Sequence, residues 1–531
     1  MISAVAYPPF WLLAEDKADL AAVHRIKSEA FENSKVMEHM FYLTDVNGPR
    51  LTGSPGFRAA SDWALGRLRE YGLANVKLEK WGPFGRGWTC THFEAHLIEP
   101  GYAPLIGIPL AWTAGTEGTI TAEPVMAVIH KDEDMEKYRG KLRGKIVLSE
   151  LSRDVGFRTT PLGRRFTDTD LAETEQAPDP AIPPAFGPRA PRSPGTLTPE
   201  EQRKFRERVS AFLKEEGALL SLSSGYNGDG GTVFATSGGP YDAAKPIAIT
   251  AVALTPEHYN RIVRLVDHKI PVKLQFNIQN QFFNENLDST NIVAEIPGNA
   301  KKDEIVMLGA HFDSWHGGTG ATDNAAGSSV VMEAARILKA LDFKMDRTVR
   351  LVLWSGEEQG LLGSKAYVKE HFADPETMKL ASEHSKIAGY FNYDNGTGKI
   401  RGIYLQGNDM VRPIFEAWLA PLKDLGATTV SIRKTGGTDH LSFDTVGLPG
   451  FQFIQDPVEY GTRTHHSNMD VYDHIQPGDL MQASAVMASF VYHTAVREAM
   501  LPRMPLPKPQ PKKDEKKDED KETKKVPTAT Q

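Results

Sequence analysis

Two kinds of apolar pattern alternate along residues 289–503. Short apolar runs typical of buried strands occupy 291–296, 305–308, 348–354, 387–393, 403–405 and 450–454. Stretches with apolar residues at helical spacing occupy 325–341, 363–372, 409–425 and 479–500. Because alternating strands and helices form a largely parallel sheet covered on both faces, this region predicts an open, mixed α/β fold.

The rest of the chain divides into three parts by the same criteria. Residues 1–114 carry helical periodicity at 14–43 and 54–71 and strand-like runs at 76–81 and 89–98, so they are predicted to begin the same α/β unit that residues 284–503 complete. Residues 115–283 contain short β-like pieces, among them 232–235, and a Pro- and Arg-rich stretch at 159–199 that is predicted to be a surface loop. They are predicted to form a separate, inserted β-rich domain. Residues 504–531 are charged and nearly devoid of apolar side chains, which predicts a disordered tail.

Composition narrows the class of protein further. The chain has 531 residues, 40% of them apolar and 24% charged, which predicts a soluble protein of two or three domains. Its net charge is −7, so nothing suggests a nucleic-acid partner. The single cysteine, Cys90, excludes an intrachain disulfide and a thiolate-rich metal site. No run of eighteen apolar residues occurs, so no membrane span is predicted.

Metal-competent side chains follow three of the predicted strands. His311 comes directly after the run at 305–310, Glu357 and Glu358 follow 348–354, and Asp394 follows 387–393. Because ligands bind beyond the carboxyl ends of parallel strands, these side chains are expected to meet at one edge of the sheet. Imidazole and carboxylate groups are zinc ligands, and the set predicts a hydrolytic site with two metal ions.

The residue types also suggest individual roles. Asp323 precedes a stretch of small residues at a predicted helix entrance, where its carboxylate could bridge two ions. Asp313 could accept a hydrogen bond from the second nitrogen of His311 and fix its tautomer. Of the two adjacent glutamates, Glu357 is predicted to be the general base and Glu358 a metal ligand.

Together these segments resemble a known family. His311-x-Asp313, Asp323-Asn324, Glu357-Glu358, Asp394 and the His465-His466 pair, in this order, are similar to the co-catalytic zinc exopeptidases, which include bacterial leucyl aminopeptidases and glutamate carboxypeptidases. The likeness extends to residues 47–55 and 437–439 and covers nearly the whole chain except the tail. It implies a peptidase fold of the phosphorylase/hydrolase-like type, in which residues 115–283 would be an inserted protease-associated domain.

The resemblance also implies a ligand set and an activity. One Zn²⁺ would be held by His311 and Asp394 and a second by Glu358 and His466, with Asp323 between them and a cis peptide bond after it. The implied enzyme is a zinc-dependent exopeptidase that cleaves peptides or dipeptides near their free N-terminus, as an aminopeptidase or dipeptidase, with a metal-bridging water activated by Glu357. A homodimer and a secreted or periplasmic location are implied as well, although residues 1–14 lack the basic start of an export signal.

Several alternatives stay open at this point. His465 competes with His466 for the last ligand position, and the two glutamates could be the acidic first turn of a helix. Asp439 could bind a substrate α-amine or cap a loop, and Tyr460 could donate to the oxyanion. Manganese or cobalt would suit the same ligands. Two other classes of protein also remain: a glutaminyl-cyclase-type acyltransferase with one zinc, and a non-enzymatic, receptor-like relative.

Overall fold

The structure, a computed structural model, describes residues 16–178 and 197–509. Residues 1–14, which lack the basic start of an export signal, lie outside these residues. So does most of the predicted disordered tail, from residue 510 onward. Among the described residues, no helix is both long and apolar enough to cross a membrane.

The elements follow one another in this order. The strands are β1 (Ala74–Trp81), β2 (Gly87–Glu99), β3 (Ala103–Pro104), β4 (Gly107–Pro109), β5 (Ile120–Ala122), β6 (Pro124–Met126), β7 (Ile146–Leu148), β8 (Leu220–Ser223), β9 (Ala251–Leu254), β10 (Lys273–Phe283), β11 (Ser289–Ile296), β12 (Lys301–His311), β13 (Arg347–Trp354), β14 (Ala373–Asp374), β15 (Lys379–Leu380), β16 (Ile387–Asn392), β17 (Ile400–Tyr404), β18 (Thr429–Ser431) and β19 (Gly450–Gln455). The α-helices are α1 (Leu20–Glu32), α2 (Val36–Phe41), α3 (Pro55–Glu70), α4 (Asp168–Glu175), α5 (Pro199–Glu215), α6 (Pro256–Asp267), α7 (Ala326–Ala340), α8 (Leu362–His371), α9 (Arg412–Leu419), α10 (His440–Asp444) and α11 (Pro477–Val496).

An eight-stranded mixed sheet forms the centre of the main unit. Its strand order is β1-β11-β13-β12-β16-β19-β17-β18, and the four central strands β13, β12, β16 and β19 run parallel to one another. Every residue of β16 and of β19 is buried, as expected of parallel strands that are covered on both faces. The predicted mixed α/β fold is confirmed.

Helices cover both faces of this sheet. On one face, α7 and α11 pack with α1, α2, α3 and α9 over a single large apolar core. On the other face, α8 and α10 cover a smaller core that includes Trp354, Tyr367 and Tyr390. The sheet edge between the two helical layers is therefore left free for polar groups.

A second unit is built on two further sheets. One has the order β3-β2-β10-β5 and the other β4-β9-β8-β7-β6, and they share a core with α6. Strand β2 pairs with β10 along its length and does not join the main sheet. The second unit therefore begins before residue 115, because β2 is part of one of its sheets. Residue 115 was the start that the sequence predicted for this unit. The pieces β6, β7, β8 and β9 are parallel, so the unit is β-rich with an α/β portion.

Residues 164–176 lie against the main unit, which differs from the surface loop expected there. The backbone N–H of Arg164 donates to the Val458 carbonyl at 2.9 Å, and the Arg165 guanidinium lies 3.0 Å from the buried carboxylate of Asp456. The Arg165 side chain also reaches Asp479, at 2.7 Å. The Arg165 side chain, paired with two carboxylates, anchors this segment. The composition of the segment predicts a loop but does not indicate that the loop is anchored to the main unit.

Candidate metal centre

The predicted strand ends meet at one edge of the main sheet. His311 is the last residue of β12 and is aligned with Trp354, the last residue of the parallel neighbour β13. Glu357 and Glu358 occupy the turn after β13, and Asp394 lies two residues past β16. Parallel neighbours end at the same level, so the side chains that follow them are brought together.

Three buried side chains form what we call the inner group: His311, Asp323 and Asp394. The His311 Nε2 atom lies 3.2 Å from Asp323 Oδ1 and 3.6 Å from Asp394 Oδ1. The side chains are only 1%, 4% and 3% exposed, respectively. Water is therefore largely excluded from these groups.

A second set, which we call the outer group, contains Asp323, Glu358 and His466. The His466 Nε2 atom lies 3.2 Å from Asp323 Oδ2 and 2.9 Å from Glu358 Oε2. Asp323 thus directs one carboxylate oxygen toward each histidine. His465 also approaches, with its Nε2 atom 3.7 Å from Asp323 Oδ2, so proximity to Asp323 alone leaves both histidines as candidates. The contact with Glu358 favours His466.

The backbone carbonyl of Asp313, and not its carboxylate as the sequence predicted, lies next to the second nitrogen of His311. The His311 Nδ1 atom lies 3.0 Å from the backbone carbonyl of Asp313 and 3.8 Å from its carboxylate. The Asp313 carboxylate instead accepts from the backbone N–H groups of Glu357, at 3.3 Å, and Glu358, at 3.4 Å. The carbonyl is thus placed to fix the histidine tautomer, and the carboxylate fixes the turn that carries the two glutamates.

The segment around Asp323 is shaped by small and polar neighbours. The Asp323–Asn324 peptide bond is cis, which confirms the expectation from the family resemblance. The Asn324 side chain donates to the Tyr393 carbonyl at 2.9 Å and accepts from the Gly327 N–H at 2.8 Å. A side chain at Gly327 would place its Cβ 2.4 Å from the Asn324 side chain and from the Tyr393 carbonyl, so only glycine fits this close approach.

Arg50 is a supporting residue that the sequence reasoning missed. It is fully buried and forms no ion pair with any described carboxylate. Its guanidinium donates to the carbonyls of Phe312 at 2.8 Å, Thr319 at 3.0 Å and Gly320 at 2.8 Å. It therefore ties the chain after His311 to the chain before Asp323. The arginine stands in the 47–55 motif, but nothing in that motif indicated the contact.

The second unit contacts the loop that carries His466. The Ala235 N–H donates to the His466 carbonyl at 3.0 Å. The Asn468 side chain accepts from the Val233 N–H at 2.8 Å, and the Asn468 N–H donates to the Val233 carbonyl at 3.1 Å. The strand expected at 232–235 is reduced to one bridge, between Phe234 and Ser467. The outer group is therefore held by both units.

Burial and neighbouring charges shift the pKa values of the groups around Asp323. Burial disfavours a charged His466, but Glu358 and Asp323 outweigh it and raise the pKa of His466 to about 11. Burial, together with the charge of Asp323, raises the pKa of Glu358 to about 8. Burial also raises the pKa of Glu357 well above its ordinary value, and neighbouring carboxylates add to the effect. Without cations, the cluster would have to take up protons.

The side chains of the inner and outer groups are suited to bind divalent metal ions. The Glu358 Oε1 atom is buried and has no hydrogen-bond partner among the described residues, which leaves it available to an ion. Neutral imidazole and carboxylate oxygen are the ligands that zinc prefers in hydrolytic sites.

Two further predicted residues border this centre. Asp439 is fully buried, and neither of its carboxylate oxygens has a hydrogen-bond partner among the described residues. Burial raises the pKa of the Asp439 carboxyl group to about 7. Its side chain makes no capping hydrogen bond at the start of helix α10. For Tyr460, burial and nearby carboxylates, Asp323 first among them, raise the pKa well above the ordinary value and keep the hydroxyl protonated.

A parallel sheet whose strand ends deliver imidazole and carboxylate groups to one buried cluster defines an α/β metallohydrolase. Comparison with known proteins agrees with that class. Residues 291–491 match the model of peptidase family M28. Carboxypeptidase Q of Rattus norvegicus is 29% identical over 471 residues, which cover 88% of this chain and 86% of the relative.

Solved structures extend the likeness to the fold. The crystal structure of a peptidase M28 precursor from Shewanella amazonensis SB2B is 26% identical, with a TM-score of 0.64 over 92% of this chain and 99% of that chain. BSAP, a zinc aminopeptidase from Bacillus subtilis, is 21% identical, with a TM-score of 0.53 over 87% and 95% of the two chains. Residues 291–491 thus match peptidase family M28, and the chain is similar over most of its length to peptidases. The predicted family resemblance and the predicted class of enzyme, a metallo-exopeptidase, are confirmed.

Proposed function

We propose that this chain is a zinc-dependent exopeptidase with two metal ions, which cleaves short peptides near their free N-terminus. One observation carries the proposal: Asp323 directs its two carboxylate oxygens to His311 and His466, each at 3.2 Å. A carboxylate shared in this way offsets the repulsion between two neighbouring cations. His311 and Asp394 would hold one ion, and Glu358 and His466 the other. The name of the neighbouring zinc aminopeptidase supports zinc.

Glu357 would be the general base. When bound, the ions would polarise the scissile carbonyl and lower the pKa of a bound water. The Glu357 carboxyl is placed in the turn that Asp313 holds, and its raised pKa suits a group that accepts a proton and later returns it to the leaving amine. Tyr460, with its hydroxyl protonated, could donate to the oxyanion.

Asp439 supports the proposal that cleavage occurs near the free N-terminus of the peptide substrate. Asp439 is a buried carboxyl group close to the inner group, and such a group is suited to bind an ammonium group. The names of the similar proteins differ on this point, since one is a carboxypeptidase and another an aminopeptidase. Cleavage of one residue and cleavage of dipeptides are both compatible with this site.

The decisive experiment combines metal content with turnover. We expect about two zinc ions per chain by elemental analysis, and hydrolysis of dipeptides or aminoacyl substrates. Glu357→Gln should keep both ions and reduce kcat by about 10²–10⁴-fold, because it removes the proton acceptor. Glu370→Gln, on the exposed side of α8, is the matched control and should leave kcat unchanged.

Other outcomes would favour the other classes of protein. One ion per chain together with acyl transfer would support a glutaminyl-cyclase-type enzyme. A chain loaded with two ions that turns over no short peptide would contradict the proposal and leave the receptor-like alternative.

Three finer points remain proposals. We propose that the second unit is a protease-associated domain that begins near β2, because β2 pairs with β10. A homodimer and export from the cytoplasm rest on the family resemblance alone.

A further inference from the structure

A large cleft opens between the two units beside the outer group. Its volume is about 1590 Å³. One side is formed by α5 and the loop at residues 237–248 of the second unit, and the other side by the main unit. Glu358 and Gln359 line this cleft. Since Glu358 belongs to the outer group, the cleft connects the candidate metal centre with solvent.

Aromatic side chains line the cleft near Glu358. Phe84 and Tyr241 stack with ring centroids 4.8 Å apart, and Trp315 packs edge-on against Trp112 at 5.9 Å. The Trp315 ring lies 6.1 Å from the His466 ring. These rings form an apolar wall that starts next to the outer group.

Two polar side chains that line the cleft have buried polar atoms without a hydrogen-bond partner among the described residues. The Trp315 indole nitrogen is buried and forms no hydrogen bond with the described residues, and the side chain as a whole is only 8% exposed. Both polar atoms of the Gln359 carboxamide are buried, and they likewise form no hydrogen bond within the part of the chain that the structure describes. Buried polar atoms are nearly always satisfied in native proteins, so these atoms are available to hydrogen-bond with a ligand.

The chemistry of these groups fits a peptide main chain. An indole N–H can only donate, so its partner must be an acceptor such as a carbonyl oxygen. A carboxamide both donates and accepts, and so it matches the C=O and N–H of a peptide unit. The neighbouring rings would cover a large apolar side chain.

We infer that Trp315 and Gln359 form a subsite for the main chain of a short peptide whose large apolar side chain packs against Phe84 and Tyr241. The inference deepens the proposed function and rests on it, because it assigns the substrate class to the same metal centre. Trp315 and Gln359 contact the substrate in this arrangement and take no part in proton transfer.

The test measures binding separately from turnover. Phe-Leu and Gly-Gly are titrated calorimetrically into the zinc-loaded Glu357→Gln protein, which leaves the peptides intact. Trp315→Phe removes the indole N–H but keeps a ring, and Gln359→Ala removes the carboxamide. Each should weaken Phe-Leu binding by about three- to tenfold, the effect of one hydrogen bond. Trp63→Phe, on α3, is the matched control and should leave binding unchanged.

Each outcome decides the question. Unchanged Phe-Leu affinity in both variants, with zinc content and thermal midpoint preserved, overturns the subsite, as does the absence of Phe-Leu binding to the parent protein. Equal affinity for Phe-Leu and Gly-Gly overturns the role of the aromatic wall. If Trp315→Phe fails to fold, Gln359→Ala, on a half-buried turn, still gives the answer.

The same titrations separate this inference from the proposed function. A wild-type chain that hydrolyses no peptide, but whose inactive variant binds Phe-Leu through Trp315 and Gln359, would remove the peptidase proposal and keep the subsite. If the Trp315→Phe and Gln359→Ala variants hydrolyse peptides with unchanged KM, the peptidase proposal is kept and the subsite is removed.

Discussion

The inner and outer groups of the candidate centre are built in different ways. The inner group takes His311 and Asp394 from the ends of two adjacent parallel strands, and both side chains are almost fully buried. In the outer group, the His466 side chain is 21% exposed and lies on a loop that the second unit contacts through Ala235 and Val233.

This difference predicts unequal metal positions. Ligands on packed strands are held more rigidly than ligands on loops, so the ion of the inner group should bind more tightly. The ion of the outer group should depend on contacts between the two units. The cleft lies beside the outer group, so substrate binding and metal retention are expected to be linked there.

Removal of the shared ligand should have the largest effect. Asp323→Ala takes one ligand from each group and leaves His311 and His466 without the carboxylate between them. We expect zinc content to fall from about two toward zero, with complete loss of peptide hydrolysis. Elemental analysis after gel filtration measures this loss. Retention of two ions in the folded variant would show that Asp323 does not bridge.

Single histidine variants should distinguish the two groups. His311→Ala and His466→Ala should each lose one ion, and the ion that remains in His466→Ala, in the inner group, should resist chelators longer than the one left in His311→Ala. Timed competition with a chromogenic chelator measures both rates. His465→Ala is the matched neighbour and should retain two ions. If it loses one and His466→Ala does not, the ligand assignment must be exchanged.

The contact between the units should have the smallest effect. Asn468→Ala removes the acceptor for the Val233 N–H and the donor to the Gly231 carbonyl, at 2.8 and 3.1 Å. We expect zinc affinity to weaken about tenfold for the ion of the outer group only, as is common when a partner that orients a ligand is lost. Asn408→Ala, which breaks a contact with the Pro502 carbonyl away from the centre, is the control. An equal loss of zinc affinity at both ions would contradict the proposed difference between the inner and outer groups.

Local patterns were sufficient to predict the positions of the main candidate residues. His311, Glu357, Glu358 and Asp394 follow buried apolar runs, and the parallel order of those runs brings their ends together. The small residues after Asp323 are also visible in the sequence, and Gly327 among them permits a close approach of the backbone.

Contacts between distant segments could not be predicted in this way. Strand β2 has the alternation of a half-buried strand, but alternation does not specify which sheet a strand joins. The Asp313 carboxylate was expected to contact His311 because it is two residues away, yet it accepts from the turn after β13. Arg50, Asn468, Trp315 and Gln359 acquire their roles from segments far away in the sequence.

The sequence by itself therefore determined the fold class, the parallel central sheet and the kinds of side chain at its edge, because apolar periodicity and strand ends are local properties of the chain. Tertiary structure alone decided which polar atoms meet and which stay unpaired, how the loop of His466 is held, and where the cleft opens. Those features depend on distances between segments that lie hundreds of residues apart, and no local pattern records such distances.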